Sequence, residues 1–135
     1  MMVSSELKSE RKSEAKSART ILVVDDEEGM RDWMTEILHG CGHQVFTAKD
    51  GLEARHLAAR HAFDVMITDI SMPNEEGLGM IRALHKASPG LKIIAVSGKD
   101  PETLMDAKLL GAHAALRKPV TAKTVLECVR DLSPI

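Results

Sequence analysis

The sequence predicts a doubly wound α/β fold, a five-stranded parallel sheet with helices on both faces. Three observations carry this expectation. Short β-branched apolar runs alternate with stretches whose apolar residues recur at helical spacing. Glycine, proline or a capping residue stands at most of the junctions between them. Each strand candidate is followed by a helix candidate, which favours parallel pairing through right-handed crossovers.

In order along the chain, Ile21 to Val24 reads as the first strand. Met30, Trp33, Met34, Ile37, Leu38 and Cys41 follow at helical spacing, and Gly40 and Gly42 stop that helix. Gln44 to Ala48 is the second strand. Asp50 can cap the next helix, with Glu53 three residues on and Leu52 and Leu57 on its inner face. Val65 to Thr68 makes the third strand, and Met80, Ile81 and Leu84 mark the third helix. The Pro89-Gly90 turn leads into a fourth strand, Leu91 to Val96. Asp100 and Pro101 open the fourth helix and Gly111 closes it. Ala114 to Leu116 is a short fifth strand, and Val125, Leu126, Val129 and Leu132 lie on the last helix.

Composition narrows the function. A chain of 135 residues, 44% hydrophobic and 28% charged, fits one globular domain with a single core. Aromatic residues make up only 2%, so base-stacking platforms are not expected, and a net charge of -2 argues against direct nucleic-acid binding. No apolar run approaches the roughly 20 residues of a membrane helix, and the start of the chain lacks a signal-peptide core. A cytoplasmic location is expected. The two cysteines, Cys41 and Cys128, read as reduced thiols, too few for a disulfide framework or a closed zinc site. Residues 1–19 are almost wholly Ser, Lys, Glu and Arg, which points to a disordered leader, or else to a tether or a helix formed on a partner. The folded domain is expected over 20–132, with 133–135 as a tail.

In open parallel sheets ligands bind beyond the carboxyl ends of the strands, where the winding reverses. Those ends are polar here: Asp25 and Asp26 follow the first strand, Asp69 ends the third, Ser97 the fourth and Lys118 the fifth. Each has a duller reading alone. An acidic run suits a first helical turn, Asp69 could be a cap, Ser97-Gly98 a turn and Lys118-Pro119 a surface loop. Together they suit phosphoryl transfer to a carboxylate. Three acids in one pocket repel one another unless a small divalent cation such as Mg²⁺, a hard ion that prefers oxygen ligands, neutralises them. A carboxylate can accept a phosphoryl group, and the resulting acyl phosphate needs donors, which the Lys118 ammonium and Ser97 hydroxyl provide.

These residues resemble the receiver domains of bacterial two-component response regulators, the CheY-like superfamily, over 20–132. The hallmarks are Ile21-Leu22-Val23-Val24-Asp25-Asp26, Asp69-Ile70-Ser71-Met72-Pro73 with Gly77, Ala95-Val96-Ser97-Gly98, Gly111-Ala112 and Arg117-Lys118-Pro119. The resemblance implies a flavodoxin-like (βα)5 arrangement with strand order 2-1-3-4-5. It implies that Asp69 takes phosphate from a sensor histidine kinase or phosphotransfer protein, and that Asp26 and Asp69 bind Mg²⁺, or Mn²⁺, directly. Asp25 would help through water and the Ser71 backbone carbonyl would complete the ligands. It further implies a cis bond before Pro119, and that the side chains of Ser71 and Lys99 flank the attacking water and tune phosphate loss. The output would be control of a downstream target protein, with a phosphorylation-linked homodimer also open, through the face of the fourth helix, fifth strand and fifth helix, here including Lys108, His113 and Arg117. The protein would be a switch with only intrinsic autophosphorylation and autodephosphorylation, not an enzyme.

One departure from the pattern is Ala115, where the family usually carries the Tyr or Phe that rotates inward on activation. Its absence suggests that signalling runs through displacement of Ser97 and the loop after it. Three alternatives stand beside this reading. A degenerate receiver would act by contact alone, and a flavin carrier would be yellow. A haloacid-dehalogenase-type phosphatase would carry a second Asp where Ser71 stands. His39, Cys41 and His43 could suggest a metal site, but structural zinc requires four ligands. His56, His61, His85 and His113 read as surface or helix-end residues. Nucleotide-binding glycine loops are lacking.

Overall fold

The computed structural model describes residues 18–71, 76–98 and 101–132. The proposed leader up to residue 17, the tail at 133–135, Lys99 and the Asp100 cap lie outside the described residues. Five strands and five helices alternate among the described residues: β1 Thr20–Val24, α1 Glu28–Gly40, β2 Gln44–Ala48, α2 Gly51–Arg60, β3 Val65–Asp69, α3 Glu76–Ala87, β4 Lys92–Ser97, α4 Pro101–Leu110, β5 Ala114–Arg117 and α5 Ala122–Leu132. All neighbouring strands are parallel, in the order β2-β1-β3-β4-β5.

The two-residue period of a strand divides the core in two. Leu22, Val24, Met66, Ile93 and Ala95 point to one face of the sheet, where they meet Ala54, Met80, Ile81, Leu84 and Ala107 of α2, α3 and α4. Ile21, Val23, Val65, Ile67, Ile94 and Val96 point to the other, against Met34 and Leu38 of α1 and Val125 and Val129 of α5. Central strands buried on both faces read as continuous apolar runs, which is why β1, β3 and β4 show no polar alternation.

Local signals set most ends. Gly42 at φ 88 takes the left-handed turn after α1, with its N–H donating to His39 O and the His43 N–H to Leu38 O, a Schellman closure. The Asp50 carboxylate accepts the Glu53 N–H at 2.8 Å, capping α2. Two expectations fail on α2 and α1. Leu52 is 63% exposed rather than on the inner face, because Gly51, Ala54 and Ala58 form the buried side and Leu52 sits about 200° round the helix from Ala54. Cys41 lies past the end of α1 and is exposed. Strand edges shift by one residue: Leu91 precedes β4 yet is buried, and β5 runs on to Arg117.

Gly77, in the first turn of α3, is buried against the chain just beyond β3. A Cβ there would lie 2.9 Å from Ile70 Cα, so only glycine allows this close approach.

Candidate functional site

The winding direction reverses at β1, whose neighbours β2 and β3 lead the chain outward to opposite edges of the sheet. Register aligns the strand ends there. Val24 pairs with Thr68, Asp69 with Val96 and Ser97 with Arg117, so the residues that end or follow these strands share one rim.

Asp25 is 4% exposed, and its backbone N–H donates to Ala48 O at 3.1 Å, one step beyond the β1–β2 ladder. Its carboxylate accepts the Glu27 N–H at 2.9 Å in the turn that leads into α1, while the Arg31 guanidinium donates to its backbone carbonyl at 2.8 Å. Asp26 is exposed beside it. Asp69 is 5% exposed at the end of β3: one carboxylate oxygen accepts the Ser71 N–H at 2.8 Å and the other the Lys118 ammonium at 3.0 Å. One carboxylate oxygen from each of Asp25, Asp26 and Asp69 lies within 4.8 Å of the others.

Electrostatics follow from this crowding. Burial pushes the Asp25 carboxyl up to about 6, against the Glu27 N–H and Lys118, with the charges of Asp69 and Asp26 adding to the rise. Burial works to lower Lys118, but its hydrogen bond to Asp69 and the charges of Asp69, Asp25 and Glu27 prevail and hold it above the usual lysine range. One ammonium thus faces three carboxylates, and the remaining negative charge, on hard oxygens facing one another, fits a divalent cation. A small cleft beside these groups is floored by Met30, Met34, Ile67 and Val96.

Ser97, fully buried, closes the rim between two neighbours. Its hydroxyl lies 3.2 Å from that of Ser71, and its backbone carbonyl accepts the Lys118 N–H at 2.9 Å. The Ser71 hydroxyl also accepts the Gly98 N–H at 3.1 Å. The Lys118-Pro119 peptide bond is cis. Ala115 sits in mid-β5 opposite Ala95, half-buried.

The structure therefore brings Asp25, Asp26, Asp69, Ser71, Ser97 and Lys118 together, while Lys99 lies outside the described residues. It does not gather His39, Cys41 and His43: the aspartates are the only group of three potential metal ligands among the described residues, and the His43 ring accepts the Arg19 N–H at 3.0 Å. Nor are all the other histidines isolated. His85 and His113 stack edge to face at 5.9 Å, and His113 accepts the Ile93 N–H at 3.1 Å. Sequence reasoning missed Arg31, whose signal was a lone basic residue in the acidic opening turn of α1, and the Ser71 hydroxyl contacts, which no local pattern encodes.

A family model described as the response regulator receiver domain matches residues 21–130. The chain is similar to the DNA-binding transcriptional regulator NtrC of Azospirillum brasilense, 36% identical over 114 residues that are 84% of this chain and 24% of that regulator. It thus spans less than two thirds of that relative's length. Among solved structures, chemotaxis protein CheY4 of Vibrio cholerae superposes with a TM-score of 0.79 at 30% identity, covering 85% of this chain and 98% of that one. The beryllofluoride-activated NtrC4 receiver domain dimer gives 0.79 at 30% identity, covering 84% and 95%.

Proposed function

The chain belongs to the response regulator receiver domain family of two-component signalling, and from that premise we propose that Asp69 is its phosphoacceptor. The observation that carries the proposal is the setting of the Asp69 carboxylate: buried, held by the Ser71 N–H and paired at 3.0 Å with Lys118, beside Asp25 and Asp26. The donor is a phosphohistidine on a sensor kinase or phosphotransfer protein. One Asp69 oxygen attacks phosphorus, the P–N bond breaks, the imidazole leaves with the electron pair and takes up a proton, and an acyl phosphate remains.

The protein's own groups then share the new charge. Lys118, already aimed at Asp69, transfers its contact to a phosphoryl oxygen, and the Ser97 hydroxyl donates to another. Asp26, Asp69 and the Ser71 carbonyl would hold Mg²⁺, or Mn²⁺ in its place, with Asp25 acting through water, and the cation would neutralise the crowded oxygens. The side chains of Ser71 and Lys99 are assigned to tuning phosphate loss.

The output we propose is a contact with a downstream target, or with a second copy, through the face of α4, β5 and α5. Lys108 and Arg117 are exposed there, whereas His113 is half-buried with its ring nitrogen engaged. A cytoplasmic location goes with this reading. No helix of the described residues is long and apolar enough to cross a membrane.

Intact mass after incubation with Mg²⁺ and acetyl phosphate tests the proposal. A single added phosphate, absent from Asp69→Asn and from an EDTA-treated sample, is expected. No adduct under saturating Mg²⁺, with decay too slow to hide it, would instead identify a receiver that signals by contact alone.

A further inference from the structure

Ser71 makes contacts that phosphoryl transfer itself does not require. The Ile70 N–H donates to Val96 O at 2.9 Å, carrying the β3–β4 ladder past Asp69, and the Ser71 N–H then folds back onto the Asp69 carboxylate. This double constraint fixes the Ser71 backbone and aims its hydroxyl across the rim at the end of β4. There it lies 3.2 Å from the Ser97 hydroxyl and accepts the Gly98 N–H at 3.1 Å. One short side chain, two residues from the acceptor, thus holds both the buried hydroxyl and the first backbone amide beyond β4.

We propose that Ser71 is a positioning residue that latches Ser97 and Gly98 in the unphosphorylated protein, so that engagement of phosphate by Ser97 must first break this latch. The proposal rests on the reading of Asp69 as phosphoacceptor. A hydroxyl that donates to a phosphoryl oxygen on Asp69 must turn from its present neighbour, and the Gly98 N–H must exchange the Ser71 oxygen for another acceptor or water. The latch therefore opposes the activated arrangement and lowers the apparent affinity for a phosphoryl group. Removing a hydroxyl with two such contacts should raise that affinity about 5- to 30-fold, the range expected for one to two ordinary hydrogen bonds lost from the competing state.

The test measures the dissociation constant of beryllofluoride in saturating Mg²⁺ for wild type, Ser71→Ala and Ser71→Thr, together with the Gly98 amide resonance of each free protein. Tighter binding by Ser71→Ala, near-wild-type binding by Ser71→Thr, and a Gly98 amide that shifts and exchanges faster only in Ser71→Ala are expected. Equal or weaker binding by Ser71→Ala, or an unmoved Gly98 amide, overturns the latch. The failure of the underlying reading looks different: beryllofluoride then binds none of the three proteins, whatever the Gly98 amide does. A merely structural role would move thermal stability without this split between alanine and threonine.

Discussion

Replacing Gly77 by alanine, with Gly79→Ala as its partner, tests whether α3 must pack closely on Ile70, the residue that follows Asp69. The two glycines lie two residues apart on one helix but in opposite surroundings: a Cβ at Gly77 would sit 2.9 Å from Ile70 Cα and 3.2 Å from its Cγ2, whereas a Cβ at Gly79 meets nothing within 4 Å. Carbon atoms prefer about 3.5–4.0 Å, so α3 must retreat by roughly half an ångström or more. Overpacking of this kind costs about 1–3 kcal/mol. Better helix propensity returns about 1 kcal/mol, which leaves Gly77→Ala less stable by up to about 2 kcal/mol. For a domain of roughly 110 residues each kcal/mol moves Tm by about 4 °C, so a fall of up to roughly 8 °C is expected. Gly79→Ala, free of any clash, should gain up to about 1 kcal/mol and raise Tm by a few degrees. Calorimetric melting without Mg²⁺ reads both. If Gly77→Ala melts at or above Gly79→Ala, the contact with Ile70 is not the constraint described.

Two pH dependences follow from the titrating groups. Asp25, with its carboxyl raised from 3.8 to about 6, binds its proton more readily folded than unfolded; without metal it should therefore stabilise the fold as pH falls through about 6 towards 3.8. The same proton competes with a cation, so Mg²⁺ affinity, read by calorimetric titration, should weaken below about pH 6, and Asp25→Asn should flatten that dependence. His113 runs the other way: burial first, then Lys92 and His85, lower it below 6.5. The unfolded chain takes up the proton first, so this contribution is present above 6.5 and is lost as pH falls through the folded value. His113→Asn, whose amide oxygen can accept the Ile93 N–H without titrating, should lose less stability than wild type between about pH 7 and 5.5 in urea unfolding; equal losses would remove His113 as the cause.

How much could be read beforehand depends on the range of the interaction concerned. The central strands β1, β3 and β4 follow from runs such as Ile21–Val24 and Ile93–Val96, because a strand buried on both faces writes its burial directly into its residues. Gathering Asp25, Asp26, Asp69, Ser97 and Lys118 on one rim needed only the topology, since parallel strands present all their carboxyl ends together. On α2 only Leu52 departs from the expectation: Leu57 packs on the core beside Ala54 and Ala58, but hydrophobicity alone does not separate a buried Ala54 from an exposed Leu52. Contacts set by tertiary distance were invisible. His85 and His113 are 28 residues apart and meet only where the end of α3 passes the start of β5. The Ser71 hydroxyl reaches Ser97 across 26 residues for the same reason.

Ala115 gives these rim contacts their consequence. A methyl group opposite Ala95 on β5 has no ring to swing inward, so a change at Ser97 needs another route to the outer face. The main chain offers one. Ser97 accepts the Lys118 N–H through its carbonyl, and a Cβ on Gly98 would lie 3.8 Å from both Cβ and Cδ of Lys118, so the lysine stem packs beside the segment that Ser71 holds. On the proposed reading, a Ser97 that turned toward a phosphoryl group would release Gly98 at one end while Lys118 was recruited to the same group at the other. Movement on both sides then converges on the end of β5, where Arg117 is exposed next to Lys118. On that reading the backbone joining Ser97, Gly98 and Lys118 would take the place of the aromatic rotor, and the Gly98 amide that reports the latch would report this route as well. A Gly98 amide indifferent to beryllofluoride would leave Ala115 without a substitute and the outer face uncoupled from Asp69.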